Sequence, residues 1–179
     1  MIENCLMIND LKDMLNKTKD LYAERPAYKI KTAPGEYKII THKEVRDMVD
    51  YLGTALINLG LKGKRVAVIG ENRFEWCLAY LSIVCGTGIV VPLDKSLPEN
   101  ELSELVARSE VEAIFYSEKY GEALERIKKS GNNNLRYLIS MDLEENTDEV
   151  LSQKSLVQKV KDLVLNGNRE FIDAKINAE

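Results

Sequence analysis

Apolar side chains in this chain recur first at helical and then at strand spacing. From Leu6 to Tyr22, the residues Leu11, Met14, Leu15 and Leu21 fall on one helical face, which predicts an amphipathic opening helix ended by Pro26. Ala27 to Lys31 and Tyr37 to Ile40 then flank Ala33-Pro34-Gly35-Glu36. Proline presets the first turn position and glycine accepts a positive φ, so this stretch predicts a β-hairpin. Val45, Met48, Val49, Leu52, Leu56 and Leu59 share one face of a helix spanning Thr41 to Leu59. Thr41 and Glu44 provide its capping box, and Gly60 provides its left-handed terminus.

Val66-Ala-Val-Ile69 is apolar without alternation, as in a parallel strand covered on both faces. Asn72 with Glu75 repeats the capping pattern. Phe74, Trp76, Cys77, Leu78, Tyr80, Leu81, Ile83 and Val84 then surround nearly the whole circumference of a helix, which should be largely buried. Ile89-Val-Val91 gives a strand stopped by Pro92, and Pro98 opens a helix with Leu102, Leu105 and Val106 inward. Ala113 to Tyr116 is a third strand. Tyr120, Ala123, Leu124 and Ile127 mark a helix closed near Gly131, and Tyr137-Leu-Ile139 is a fourth strand. Strands alternating with helices in this way predict an α/β fold, Rossmann-like, with a mostly parallel sheet and helices on both faces. The pattern leaves the strand order open.

Asp142, Glu144, Glu145, Asp148 and Glu149 crowd the stretch after Met141, which reads as a solvated connector. Leu156, Val157, Val160, Leu163 and Val164 mark one more amphipathic helix, closed by Asn166-Gly167, and Arg169 to Glu179 show no pattern. Residues 1–140 are thus expected to form the α/β unit and 141–179 a connector with a helix.

Composition narrows the function. With 29 acidic and 25 basic residues the formal charge is -4, which offers no electrostatic footprint for nucleic acid or an anionic membrane. No window is long and apolar enough to span a bilayer, and the amino terminus lacks a signal peptide's basic start and apolar core, so the expected location is the cytoplasm. Cys5, Cys77 and Cys85 lack metal-ligand spacing and read as reduced thiols, the latter two within an apolar helix. His42, the sole histidine, is expected at an exposed first helical turn without a catalytic role.

Three local motifs could carry chemistry. Gly70-Glu-Asn-Arg73 follows a strand and opens a helix, but a single glycine cannot bring a pyrophosphate close to the backbone. Gly86-Thr-Gly88 precedes its strand, the wrong side for a phosphate cradle, and reads as a tight turn. Asp94-Lys95-Ser96 lies at a strand's carboxyl end, where open α/β sheets bind ligands, without a converging partner. Trp76 reads as a core residue.

The string Arg65-Val-Ala-Val-Ile-Gly-Glu-Asn72, then Glu75-Trp76, then Gly86-Thr-Gly88-Ile-Val-Val-Pro92-Leu93-Asp94 resembles the opening part of the AMP-forming acyl-CoA synthetases. Thr41-His-Lys-Glu-Val45, Leu59-Gly60-Leu61-Lys-Gly63 and Leu97-Pro-Glu-Asn-Glu-Leu102 are similar to that family in order and spacing, from about Tyr28 to Ile139. Asn168-Arg-Glu-Phe-Ile-Asp-Ala-Lys-Ile176 resembles the stretch that shortly precedes the phosphate loop in bacterial long-chain fatty-acid CoA ligases.

The resemblance implies a parent enzyme that uses Mg-ATP to convert a carboxylic acid, by preference a long-chain fatty acid, into an acyl-adenylate and then transfers the acyl group to CoA. The family's Ser/Thr/Gly-rich phosphate loop, ribose-binding acid and C-terminal lysine do not occur in these 179 residues. No catalytic, cofactor-binding or metal-binding residue is therefore carried over. ATP, Mg2+ and CoA are expected to act on the parent without binding this chain tightly. The implied piece is the first α/β subdomain, inactive alone, whose partner is the remainder of its own chain and whose exposed face can self-associate. The alternative is a self-contained Rossmann-like binding or interaction module without catalysis.

Overall fold

The computed structural model describes residues 7–176. Cys5 and the expected helix start at Leu6 lie outside them. Helix α1 (Leu11–Tyr22) begins later than its apolar pattern suggests, because the Asp10 carboxylate caps it by accepting the backbone N–H of Asp13. It buries Lys12 and Leu15 and leaves Leu11 and Leu21 exposed, a rotation of the expected face. Strands β1 (Pro26–Ala33) and β2 (Glu36–Thr41) pair antiparallel around Pro34-Gly35, and Gly35 takes φ +82°. Helix α2 (His42–Asn58) carries the expected capping box between Thr41 and Glu44.

Beyond α2 the chain alternates: β3 (Arg65–Ile69), α3 (Phe74–Ser82), β4 (Ile89–Pro92), α4 (Glu99–Ser109), β5 (Ala113–Tyr116), α5 (Gly121–Lys129), β6 (Tyr137–Ser140), β7 (Val150–Ser152) and α6 (Gln153–Leu165). The larger sheet has five parallel strands in the order β4-β3-β5-β6-β7. Its residues alternate between two cores. Val66, Val68 and Phe115 face α2, α3 and α6 together with the hairpin, whereas Ala67, Ile69 and Ile114 face α4 and α5. The unbroken apolar run of β3 is the consequence of this double coverage.

Three expectations need correction. The acidic stretch after Met141 is more than a solvated connector, since Val150–Ser152 pairs with Leu138 to Ser140 as a fifth strand. The run is short because only Val150 and Leu151 in it are apolar. Asn72 does not cap α3; Arg73 occupies the cap position without a side-chain hydrogen bond. The apolar helix also does not run through to Val84: α3 ends at Ser82 and widens into a π turn, Ile83–Thr87, where Gly86 adopts φ +149°. A side chain at Gly88 would place its Cβ 2.2 Å from the Lys64 carbonyl oxygen, so that turn needs glycine for close packing.

Candidate functional site

Strand order reverses direction at β3, which has β4 on one side and β5 on the other. The crevice outside the carboxyl ends of β3 and β5 is therefore the topological switch point, the usual ligand address of an open α/β sheet. Here side chains fill it. The Ser117 hydroxyl, buried at the end of β5, abuts Gly70, where an added Cβ would lie 2.4 Å from its oxygen. Glu71 and Lys119 close the mouth with an ion pair of 2.5 Å. The Lys119 ammonium beside it holds the Glu71 carboxyl well below the usual range, at about 2.

Next to the crevice, Arg73 bonds the Glu75 carboxylate at 2.7 Å and also pairs with Asp142. The second oxygen of Asp142 accepts the backbone N–H of Glu118 at 2.7 Å. This network ties the loops after β3, β5 and β6 together, and its cation is matched by carboxylates on both sides. At the end of β4, Asp94 accepts the backbone N–H and the hydroxyl of Ser96 at 2.8 and 2.6 Å, which lowers its pKa. The Tyr120 hydroxyl donates to the Lys95 carbonyl at 2.7 Å. Asp94, Lys95 and Ser96 are exposed and bonded within their own turn or to the neighbouring loop.

A cleft of about 460 Å3 opens beside this network, between the hairpin, the start of α3 and α6. Ile40, Met48, Phe74 and Leu78 line its apolar part; Arg73, Glu75, Gln153 and Lys154 line its polar part. Gln153 donates its amide to the Glu75 carbonyl at 2.9 Å, a link between α6 and α3. It was invisible in the sequence because one glutamine at a helix start has no distinguishing pattern.

The remaining candidates are structural. His42 does sit in the first turn of α2, but half-buried, with its ring 5.6 Å from that of Tyr22. Trp76 is half-buried, not sealed in the core, and stacks on Tyr80 at 5.5 Å. Cys77 is also only half-buried; Cys85 is fully buried, and burial pushes its thiol up to about 12. Among the described residues no three His, Cys, Asp or Glu side chains converge to hold a metal ion.

The nucleotide implied by the resemblance does not fit these turns. Ser117 occupies the space beside Gly70, Phe171 and Ala174 crowd Gly86, and the Lys64 backbone lies against Gly88. No adenylation step is therefore assigned to a residue of this chain.

The sequence is 28% identical over 109 residues to fatty acyl-CoA synthetase A of Dictyostelium discoideum, covering 60% of this chain and 16% of that protein. It is 27% identical over 111 residues to long-chain-fatty-acid--CoA ligase 5 of Mus musculus, covering 59% of this chain and 16% of that protein. The chain thus spans about 16% of the length of the curated relatives it matches. Its fold is similar to that of a natural red-emitting luciferase from Phrixothrix hirtus, with a TM-score of 0.72 at 17% identity, covering 97% of this chain and 42% of that one. The AMP-binding enzyme family model matches residues 16–173, so the chain belongs to the family of AMP-binding enzymes.

Proposed function

We propose that this chain is the first α/β subdomain of an AMP-forming acid–CoA ligase. The parent activates a carboxylic acid with ATP as an acyl-adenylate, releases pyrophosphate and passes the acyl group to CoA. The observation that carries this reading is the family match across residues 16–173. Mg2+ accompanies ATP in the parent, as is usual for phosphate chemistry.

Long-chain fatty acid is the proposed substrate, supported by the names of the relatives in Dictyostelium discoideum and Mus musculus. The isolated chain is proposed to be inactive because the family's phosphate loop, ribose-binding acid and C-terminal lysine do not occur in these 179 residues. Its contribution is to scaffold the fold and form one wall of a cleft, with the rest of the parent as its partner. No helix of the described residues is long and apolar enough to cross a membrane, and we place the parent in the cytoplasm.

Reading the gene beyond the codon for Glu179 tests the proposal. A Ser/Thr/Gly-rich loop ending in lysine is expected shortly downstream. A stop codon in its place would turn the search to a stand-alone binding module.

A further inference from the structure

Lys12 sits on α1 with only 8% of its surface exposed, and forms no ion pair among the described residues. Its ammonium donates instead to the carbonyl oxygens of Phe171 at 2.8 Å and Ala174 at 2.7 Å. The same nitrogen lies 5.3 Å from the centre of the Phe171 ring. That ring is fully buried and fits where a side chain on Gly53 would otherwise stand, while the Phe171 backbone crowds Gly86. A segment that looked patternless is therefore held at both its backbone and its one aromatic side chain.

Taking an ammonium out of water is unfavourable unless its protons find acceptors. Around Lys12 the charged and titratable groups are Asp10 on its own helix, Arg46 and Asp50 on α2 and Cys85 in the π turn, with burial the strongest influence and lowering its pKa. Arg46 and Asp50 form an ion pair with each other at 2.6 Å. What the buried cation of Lys12 determines is thus the route of a backbone.

We propose that Lys12 is a positioning residue: it holds the backbone from Phe171 to Ala174 on one path and so fixes how the chain runs on from this domain. Its consequence for nucleotide binding rests on the ligase reading above, in which the phosphate loop starts from that fixed point.

Hydrogen exchange on the 179-residue chain tests the role. The amides of Asp173 and Ala174 bond the carbonyls of Arg169 and Phe171 at 2.8 and 3.2 Å and report on the path. Lys12→Met is expected to speed their exchange about tenfold while amides of β3 and β5 keep their rates. Lys12→Arg, which keeps a buried cation with several donors, is expected to restore slow exchange. Phe171→Leu, which leaves Lys12 in place, should speed the same two amides. Unchanged rates in Lys12→Met, or acceleration spread evenly over the chain, would overturn the role.

In the full-length protein, Lys12→Met is expected to raise the KM for ATP by a larger factor than it lowers kcat; an unaltered KM would refute the nucleotide consequence. If the unmutated full-length protein activates no acid, the ligase reading fails, while the exchange result still decides the part played by Lys12.

Discussion

Phe171 and Gly53 are complementary: a Cβ on Gly53 would stand 2.1 Å from Cε2 of the Phe171 ring, so the ring is seated only because residue 53 has no side chain. They are separated by more than a hundred residues and lie in α2 and in the segment after α6. Phe171→Ala should destabilise the fold by about 3 to 5 kcal/mol, as for other buried aromatics. Gly53→Ala should cost about 1 to 3 kcal/mol by overpacking. Because the alanine methyl would occupy part of the vacated ring site, the double variant should lose less than the sum, a coupling readable in urea denaturation.

The cap of α2 gives an independent check. The Thr41 hydroxyl accepts the Glu44 N–H at 3.2 Å, and the Glu44 carboxylate accepts the Thr41 N–H at 2.7 Å. Thr41→Ala is expected to cost about 1 kcal/mol and Thr41→Ser to recover most of it, measured by the denaturation midpoint.

Cys85 predicts a weakening at alkaline pH. Its thiol is raised by burial from 9.0 to about 12, so between these values the unfolded chain loses a proton that the folded chain keeps. Stability from this group is complete below pH 9 and declines as pH rises toward 12, with a limiting slope of about 1.4 kcal/mol per unit. Cys85→Ala should show a shallower alkaline slope than the unmutated chain in denaturation curves taken at successive pH values. Equal slopes would contradict the burial.

Trp76, the single tryptophan, makes a native probe. A half-buried indole stacked on Tyr80 should emit between the buried and exposed limits and be partly quenched by acrylamide. Trp76→Ala should cost less than the 3 to 5 kcal/mol typical of a sealed aromatic, about 1 to 3 kcal/mol.

Much of this architecture is legible in the residues because local and tertiary forces agree. Val66 to Ile69 has one reading as a doubly covered strand, and Thr41 with Glu44 marks the start of α2 within one turn. The deviations come from long-range contacts. Lys12 looks solvated until two carbonyls more than 150 positions away, Phe171 and Ala174, accept its protons. Phe171 is one aromatic in a polar tail, and only the glycines opposite it explain its burial. Val150–Ser152 is too short to announce a strand without the edge of β6 to pair with.

The surroundings of Gly70 were only partly legible. Gly70 stands alone where a dinucleotide loop needs several glycines, and the structure fills its open side with Ser117. The cleft lined by Arg73, Glu75 and Gln153 was not legible, because its walls come from the hairpin, α3 and α6 at once.

The most direct test of the account is fatty-acid-dependent pyrophosphate release from ATP by protein made from the complete open reading frame, with the 179-residue chain assayed beside it. The account predicts release that requires a long-chain fatty acid and is confined to the full-length protein. No release with any carboxylic acid, or equal release from the isolated chain, would contradict it.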